Sequence, residues 1–281
     1  GRGAAVLGMG SLGAGRLNAA SDLDLIVIYD AAGQEASDGP RPLAARAYFA
    51  RLTQALVTAL SAPMAQGRLY EVDMRLRPSG RQGPVATSLD AFRSYQLSEA
   101  WTWEHLALTR ARPVAGAADL GAEVEAFRQT LLAQKAGGAT VAGDVAEMRA
   151  RLRAAKPGHG GLEAKDGAGR LQDIELLAQM LALQAASPAR RVELQIAAGR
   201  RAGLIAPEAA ETLLASYRLL WRVQAATRLL ADRVTDPDVL GAGARSFVLR
   251  EAGAGSLPEL QERMAAAVDS AARVIDGALL G

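Results

Sequence analysis

Two stretches of this chain carry acids at a spacing that does chemistry. Gly10-Ser11 is followed, ten residues on, by Asp22-Leu23-Asp24-Leu25. In an extended strand side chains i and i+2 share a face, so Asp22 and Asp24 project side by side while Leu23, Leu25 and Val27 point the other way. Two carboxylates this close repel unless a cation sits between them, and hard oxygen ligands suit Mg²⁺, which takes carboxylates together with substrate phosphates. A third acid comes from Leu69-Tyr70-Glu71-Val72-Asp73-Met74-Arg75-Leu76-Arg77, where alternation is strict: Glu71, Asp73, Arg75 and Arg77 fall on one face. Asp73 then completes a metal cage with Asp22 and Asp24, while the guanidiniums of Arg75 and Arg77 meet phosphate oxygens. The turn Gly8-Met9-Gly10-Ser11 sits just before the first pair. Its backbone N–H groups and the Ser11 hydroxyl can cradle the leaving phosphates, which makes Gly10 and Ser11 candidate nucleotide-binding residues.

The elements that must position these residues can be read coarsely. Val6-Leu7 and Leu25-Ile26-Val27-Ile28 are β-rich runs bracketing the glycines. After a Gly/Pro/Asp/Ser loop over 31–43, apolar positions at helical spacing (Ala45, Phe49, Leu52, Leu56, Leu60) predict a helix over 44–61 that leads to a third strand, Leu69 to Leu76. Pro78-Ser79-Gly80 ends that strand, a polar loop runs to Thr87, and helices follow from about Leu89 and around Trp101 to Arg110. Beyond the turn Pro113 to Ala118 the chain is rich in Ala, Leu and Arg with a period near that of the α-helix, broken by Gly137-Gly138, the Gly-rich stretch 158–169 and several prolines. A helical second unit beginning near residue 117 is therefore expected.

One decoy is set aside. Gly8-Met9-Gly10-Ser11-Leu12-Gly13 matches the dinucleotide fingerprint G-x-G-x-x-G, with Asp30 ending the next strand. Only about two helical turns fit between Ala14 and Ser21 at ~3.6 residues per turn, and that reading leaves Asp22 and Asp24 without a role.

Composition narrows the classes further. There is no cysteine, which excludes disulfides, thiolate metal sites and Cys nucleophiles. The two histidines, His105 and His159, lack a partner at metal-ligand spacing, against a zinc or Ser-His-Asp enzyme. With 32 basic and 30 acidic residues the formal charge is +2, no nucleic-acid footprint, and the apolar runs are interrupted well short of a membrane span. A cytoplasmic protein without nucleic-acid or membrane partners is expected. Because Gly1 to Ala5 lead at once into an apolar run with no initiator Met and no cap, the chain reads as a piece of something longer.

Several of these segments together resemble the glutamine synthetase adenylyltransferase family. They are Gly8-Met9-Gly10-Ser11-Leu12-Gly13, Ser21-Asp22-Leu23-Asp24-Leu25, Leu69 through Gly80, Glu99-Ala100-Trp101-Thr102-Trp103-Glu104-His105 and Arg110-Ala111-Arg112, joined in the helical part by Lys165, Gly169, Asp173-Ile174-Glu175 and Gln179. The resemblance covers most of residues 5–185. It implies an α+β fold: a polymerase-β-like nucleotidyltransferase catalytic domain with a mixed sheet over 1–117, followed by an α-helical bundle domain over 118–281. Family members have two similar halves, one adding AMP from ATP to a tyrosine of glutamine synthetase and the other removing it by phosphorolysis; the wording around Asp73 and Trp101 resembles the C-terminal, adenylylating half. Glutamine synthetase and, through the whole protein, a PII-type signalling protein are the implied partners. The family usually has Lys where Ser11 stands, Gly at Ala14 and an acid at Arg16, so a phosphate contact by that Lys is missing here.

As a mechanism, the tyrosine hydroxyl attacks the α-phosphorus of ATP in line and pyrophosphate leaves. A free tyrosine has pKa ≈ 10, so a metal held by Asp22, Asp24 and Asp73 would lower that pKa, with Asp73 as proton acceptor and the Gly10-Ser11 turn offsetting charge on the pyrophosphate. Weaker signals take structural readings: Trp101 and Trp103 as core or interdomain packing, Glu104, Arg110 and Arg112 as solvated helix charges, Asp173 and Glu175 as helix capping, and His159 as a loop residue. A nucleotidyltransferase with another acceptor, and a silent binding module, are the rival classes.

Overall fold

The computed structural model describes residues 1–67, 70–138, 140–158, 160–231 and 236–280, with the side chains of Asp238 and Leu280 left aside. Leu69 and His159, two residues of the sequence reading, lie outside them. The chain forms two compact units. The first comprises Gly1–Leu17, Ser21–Ala136 and Ala186–Arg191, and the second Asn18–Ala20, Gly137–Ala185 and Val192–Gly281.

The first unit is built on a mixed sheet. β1 (Gly3–Gly8) and β2 (Leu23–Asp30) run antiparallel, with Val6 opposite Val27 and Gly8 opposite Leu25. β1 also pairs antiparallel with β5 (Arg112–Gly116), whereas β3 (Val72–Asp73) and β4 (Ala86–Ser88) each pair parallel with β2. The antiparallel β1–β2 pair removes the dinucleotide reading, because that fingerprint needs a parallel βαβ crossover. Between these strands α1 is a single turn, Gly10–Ala14, closed by Gly15 in the left-handed conformation (φ 68°).

On one face of the sheet Val6, Leu25, Val27 and Tyr29 pack with Phe49 and Ala86, and the Tyr29 and Phe49 rings stack at 4.3 Å. Phe49 belongs to α2 (Ala45–Ser61), the helix expected over 44–61. Its buried side is Phe49 and Thr53, while Leu52 and Leu60 from the expected apolar stripe are exposed. Leu7, Ile26 and Ile28 are buried on the other face, where α3 (Leu89–Ser98) and α5 (Ala118–Lys135) pack. β4 and β5 take the place of the expected polar loop to Thr87 and of the turn from Pro113. Neither carries a clear alternation, and β5 is an edge strand with Pro113 at its second position, where a missing N–H is tolerated.

Two polar staples lock this unit. Arg128 on α5, almost fully buried, donates to the carbonyls of Leu108 (3.3 Å), Thr109 (3.3 Å) and Pro188 (3.2 Å), so it caps α4 (Thr102–Leu108) and ties in the segment Ala186–Arg191. Glu125 takes Arg128 and Arg190. Burial pushes its carboxyl up, but the arginines and Gln129 outweigh that and bring it down to about 2. His105 Nε2 donates to Gln96 O (3.0 Å), and burial pushes its pKa below the usual value.

The second unit is helical: α6 (Val141–Ala155), α7 (Leu171–Gln184), α8 (Val192–Arg201), α9 (Pro207–Leu230), α10 (Ala242–Ala252) and α11 (Leu257–Leu280). α7 is buried on nearly every side, as a central helix must be, and Gly199 lets α8 approach it, since a Cβ there would stand 2.8 Å from Leu181. Asp173 is no mere cap. It is buried and accepts both Nε (2.5 Å) and Nη2 (2.9 Å) of Arg149 and the Gly169 N–H (2.7 Å), fastening α6 and the Gly-rich loop to α7. Sequence character changes near 117, whereas the first unit runs on to Ala136 because α5 packs on β1 and β5. Among the described residues no helix is long and apolar enough to cross a membrane.

Candidate active site

The turn after β1 is held against the start of β2. Met9 N donates to Asp24 O (2.9 Å), and Gly13 N to Met9 O (2.8 Å). Gly10 has φ +49°, and a Cβ on it would stand 2.5 Å from Asp24 Oδ2, so the carboxylate of Asp24 lies directly over the Gly-Ser turn. Gly13 is equally constrained: its Cβ would meet Arg110 O at 2.1 Å. Arg112 donates to Leu12 O (3.0 Å), bracing α1 from β5. Gly10→Ala is expected to displace Asp24 and slow the reaction of this site by about 10²-fold, the scale of an ångström-sized misplacement. The loss should appear in turnover, with the unfolding midpoint changed far less.

The second acidic segment joins through β3, where Leu23 stands opposite Val72 and Asp24 opposite Asp73 in parallel register. Paired residues on neighbouring strands project from the same face, so Asp24 and Asp73 share one side of the sheet. Asp22, exposed and just ahead of β2, lines with Asp73 a cleft of about 410 Å³ that Glu71, Arg75, Arg77 and Arg81 also border.

The expected strand Leu69 to Leu76 is corrected here. β3 ends at Asp73, and the chain turns, because the Asp73 carboxylate takes the Arg75 backbone N–H (2.8 Å) and its Nε (2.6 Å). Strict alternation through Arg77 is therefore lost. Burial raises the Asp73 pKa, but the side-chain and backbone bonds from Arg75 outweigh it and hold the carboxyl below the usual range. The Arg75 guanidinium is held protonated first by its bond to Asp73, then by the charges of Asp73, Asp24 and Asp22. The bond itself comes from Asp73, which takes both the Arg75 backbone N–H and its guanidinium. No three acidic or histidine side chains among the described residues close around a common point by themselves. Arg77 is engaged otherwise, with its guanidinium turned onto loop carbonyls.

Of the weaker signals, Glu104 and Arg110 are buried rather than solvated, and Arg112 is exposed. Glu104 accepts from the Trp101 backbone N–H (3.0 Å) and from the Tyr95 hydroxyl (2.9 Å). Trp101 and Trp103, expected in packing, are 71% and 39% exposed. Sequence reasoning missed Arg81, which only its place directly after the Pro78–Gly80 turn could have flagged, and Tyr95, which meets that turn only in the fold.

A Gly-Ser turn, Asp22, Asp24, Asp73 and a rim of arginines lie at one end of a mixed sheet in an α+β unit, groups of the kinds that can hold phosphate oxygens and a divalent cation, in one chain with a helical unit. Comparison with known proteins is specific. Residues 1–127 match the family model for glutamate-ammonia ligase adenylyltransferase, and 141–278 that for GlnD PII-uridylyltransferase. Curated relatives named bifunctional glutamine synthetase adenylyltransferase/adenylyl-removing enzyme include those of Xanthobacter autotrophicus (42% identical, over 96% of this chain and 28% of the relative) and Rhizobium meliloti (43%, over 91% and 26%). That of Mesorhizobium japonicum is 42% identical over 87% of this chain and 25% of its own. The chain belongs with this family, as the sequence motifs implied, and spans about a quarter of the length of these relatives.

Proposed function

We propose that this chain carries the adenylylating activity of its family: transfer of AMP from ATP to a tyrosine hydroxyl of glutamine synthetase, with release of pyrophosphate. The observation that carries this reading is the placement of Asp24 against the Gly10-Ser11 turn and in register with Asp73, with Asp22 bordering the same cleft as Asp73. It is supported by the adenylyltransferase names of the relatives. A polymerase-β-like arrangement fits the mixed sheet, with the catalytic domain carried past the expected boundary at 117 by α5, and the helical domain after it.

The donor set suits Mg²⁺: carboxylate oxygens of Asp24 and Asp73 from two adjacent strands, of which Asp73 is paired with Arg75 here. Asp22, Asp24 and Asp73 would hold it. Bound there, the ion would lower the pKa of the acceptor hydroxyl and offset charge on the departing pyrophosphate. Asp73, which pairs with Arg75 here, would be one of the metal ligands, and the Arg75 guanidinium on the rim of the same cleft would be a contact for the triphosphate. Gly10 and Ser11 present backbone N–H groups and a hydroxyl to the same phosphates. The surroundings proposed are the cytoplasm, with regulation through a PII-type signalling protein belonging to the longer protein.

The test uses ATP labelled at the α-phosphate, Mg²⁺ and unmodified glutamine synthetase. Label should appear on a tyrosine and disappear when the metal is chelated. Phosphate-dependent release of ADP from adenylylated glutamine synthetase, with no forward labelling at equal enzyme, would assign the chain to the adenylyl-removing half instead. Labelling of a different acceptor would replace the substrate.

A further inference from the structure

Alternation in the sequence sets Arg77 beside Arg75 as a phosphate ligand, but the fold uses it differently. Its Nη1 donates to Met74 O at 2.7 Å, Nε to Gly83 O at 3.2 Å and Nη2 to Arg81 O at 3.2 Å. All three nitrogens of the planar fork are thereby committed to backbone carbonyls, which uses three of its five N–H donors on the loop. The loop it ties needs such a clamp. Ser79 and Gly80 both lie in the left-handed region, at φ 58° and 54°, the first at a cost for a residue with a Cβ. Gly83 folds back so closely that a Cβ would stand 1.9 Å from Pro78 O. From the outer side, Ser79 bonds the Tyr95 hydroxyl, which donates to buried Glu104.

Arg81 is the side chain this clamp presents. Its carbonyl is pinned by Arg77, its side chain is exposed, and it borders the same cleft as Asp22, Asp73 and Arg75. We infer that Arg81 is a second guanidinium contact to the triphosphate, and that Arg77 is a positioning residue that sets the loop carrying it. This rests on the nucleotide-binding reading proposed above.

Equilibrium binding of ATP, its salt dependence and urea unfolding are measured for the whole chain and for Arg81→Ala, Arg77→Ala, Arg77→Lys, Gly83→Ala and the Arg77→Ala/Gly83→Ala double variant. Arg81→Ala should weaken ATP about tenfold, the low end for a charged hydrogen bond, flatten the salt dependence and leave the unfolding midpoint in place. Gly83→Ala, which changes no charge, should weaken ATP as Arg77→Ala does, and the double variant should be no worse than either. Lys at position 77 suits a phosphate but cannot span three carbonyls, so Arg77→Lys should behave like Arg77→Ala. Wild-type affinity in Arg81→Ala overturns the inference. So does retained binding in Gly83→Ala and Arg77→Lys alongside loss in Arg77→Ala, which would make Arg77 the direct ligand. A wild-type chain that binds no ATP overturns the parent reading and the role of Arg81 together, whereas wild-type binding with an indifferent Arg81→Ala overturns this inference alone.

Discussion

Asp24→Asn is expected to lower AMP transfer on the order of 10³-fold while the chain stays folded, an effect at the upper end for removing one preorganised electrostatic group. Asparagine keeps the size and one oxygen of the side chain. It therefore preserves the contact over Gly10 and removes only the charge that Asp24 contributes beside Asp73. Asp22→Asn should act in the same direction, since Asp22 borders the same cleft as Asp73 and Arg75. The measurement is single-turnover labelling of glutamine synthetase at saturating ATP, with unfolding followed in parallel. Full activity in either variant would end the assignment of these aspartates.

The second large effect lies in the helical unit and concerns stability. Arg149 and Asp173 are both buried and joined by two bonds, and Arg149 also pairs with Asp276 on α11. Removing Arg149 leaves buried Asp173 with only Arg153, at 3.7 Å, as a cationic partner, so the loss should approach the cost of breaking a buried pair, about 3–5 kcal/mol. Arg149→Ala should thus shift the urea transition of the helical signal by that amount. Arg151→Ala, two residues away on the same helix, breaks an exposed pair with Glu147 and should cost less than about 1 kcal/mol. Equal effects at the two positions would show that burial is not what gives the Arg149 network its weight.

How far the sequence could be read follows from which features are local. Side-chain parity is local, so Asp24 and the matching acid at 73 could be read as strand neighbours, and β2 and β3 register Asp24 against Asp73, whereas Asp22 stands just ahead of β2. Helix α2 was legible from its period for the same reason, although Leu52 and Leu60 show that period alone does not tell which neighbour covers a stripe. The reading failed where a side chain competes with the backbone pattern. Asp73 bonds its own chain two residues on, ends the strand and rotates Arg75 and Arg77 out of the inferred row. It also failed where burial comes from distant segments. Glu104 and Arg110 look like ordinary surface charges in one dimension, yet both are buried. Trp101 looks like core and stands mostly in solvent. The parallel partnership of β4 with β2 joins strands some sixty residues apart and leaves no local trace in three residues.

The return of Ala186–Arg191 to the first unit sets an order on biosynthesis. Pro188 and Arg190, the partners that complete the Arg128 and Glu125 staples, are made only after α6 and α7. A nascent chain halted at Ala136 already possesses every strand of the sheet but lacks the last stitches around α5. Maturation of the first unit thus waits on translation well beyond its own strands, and a cut placed by sequence character alone would leave that unit unsealed.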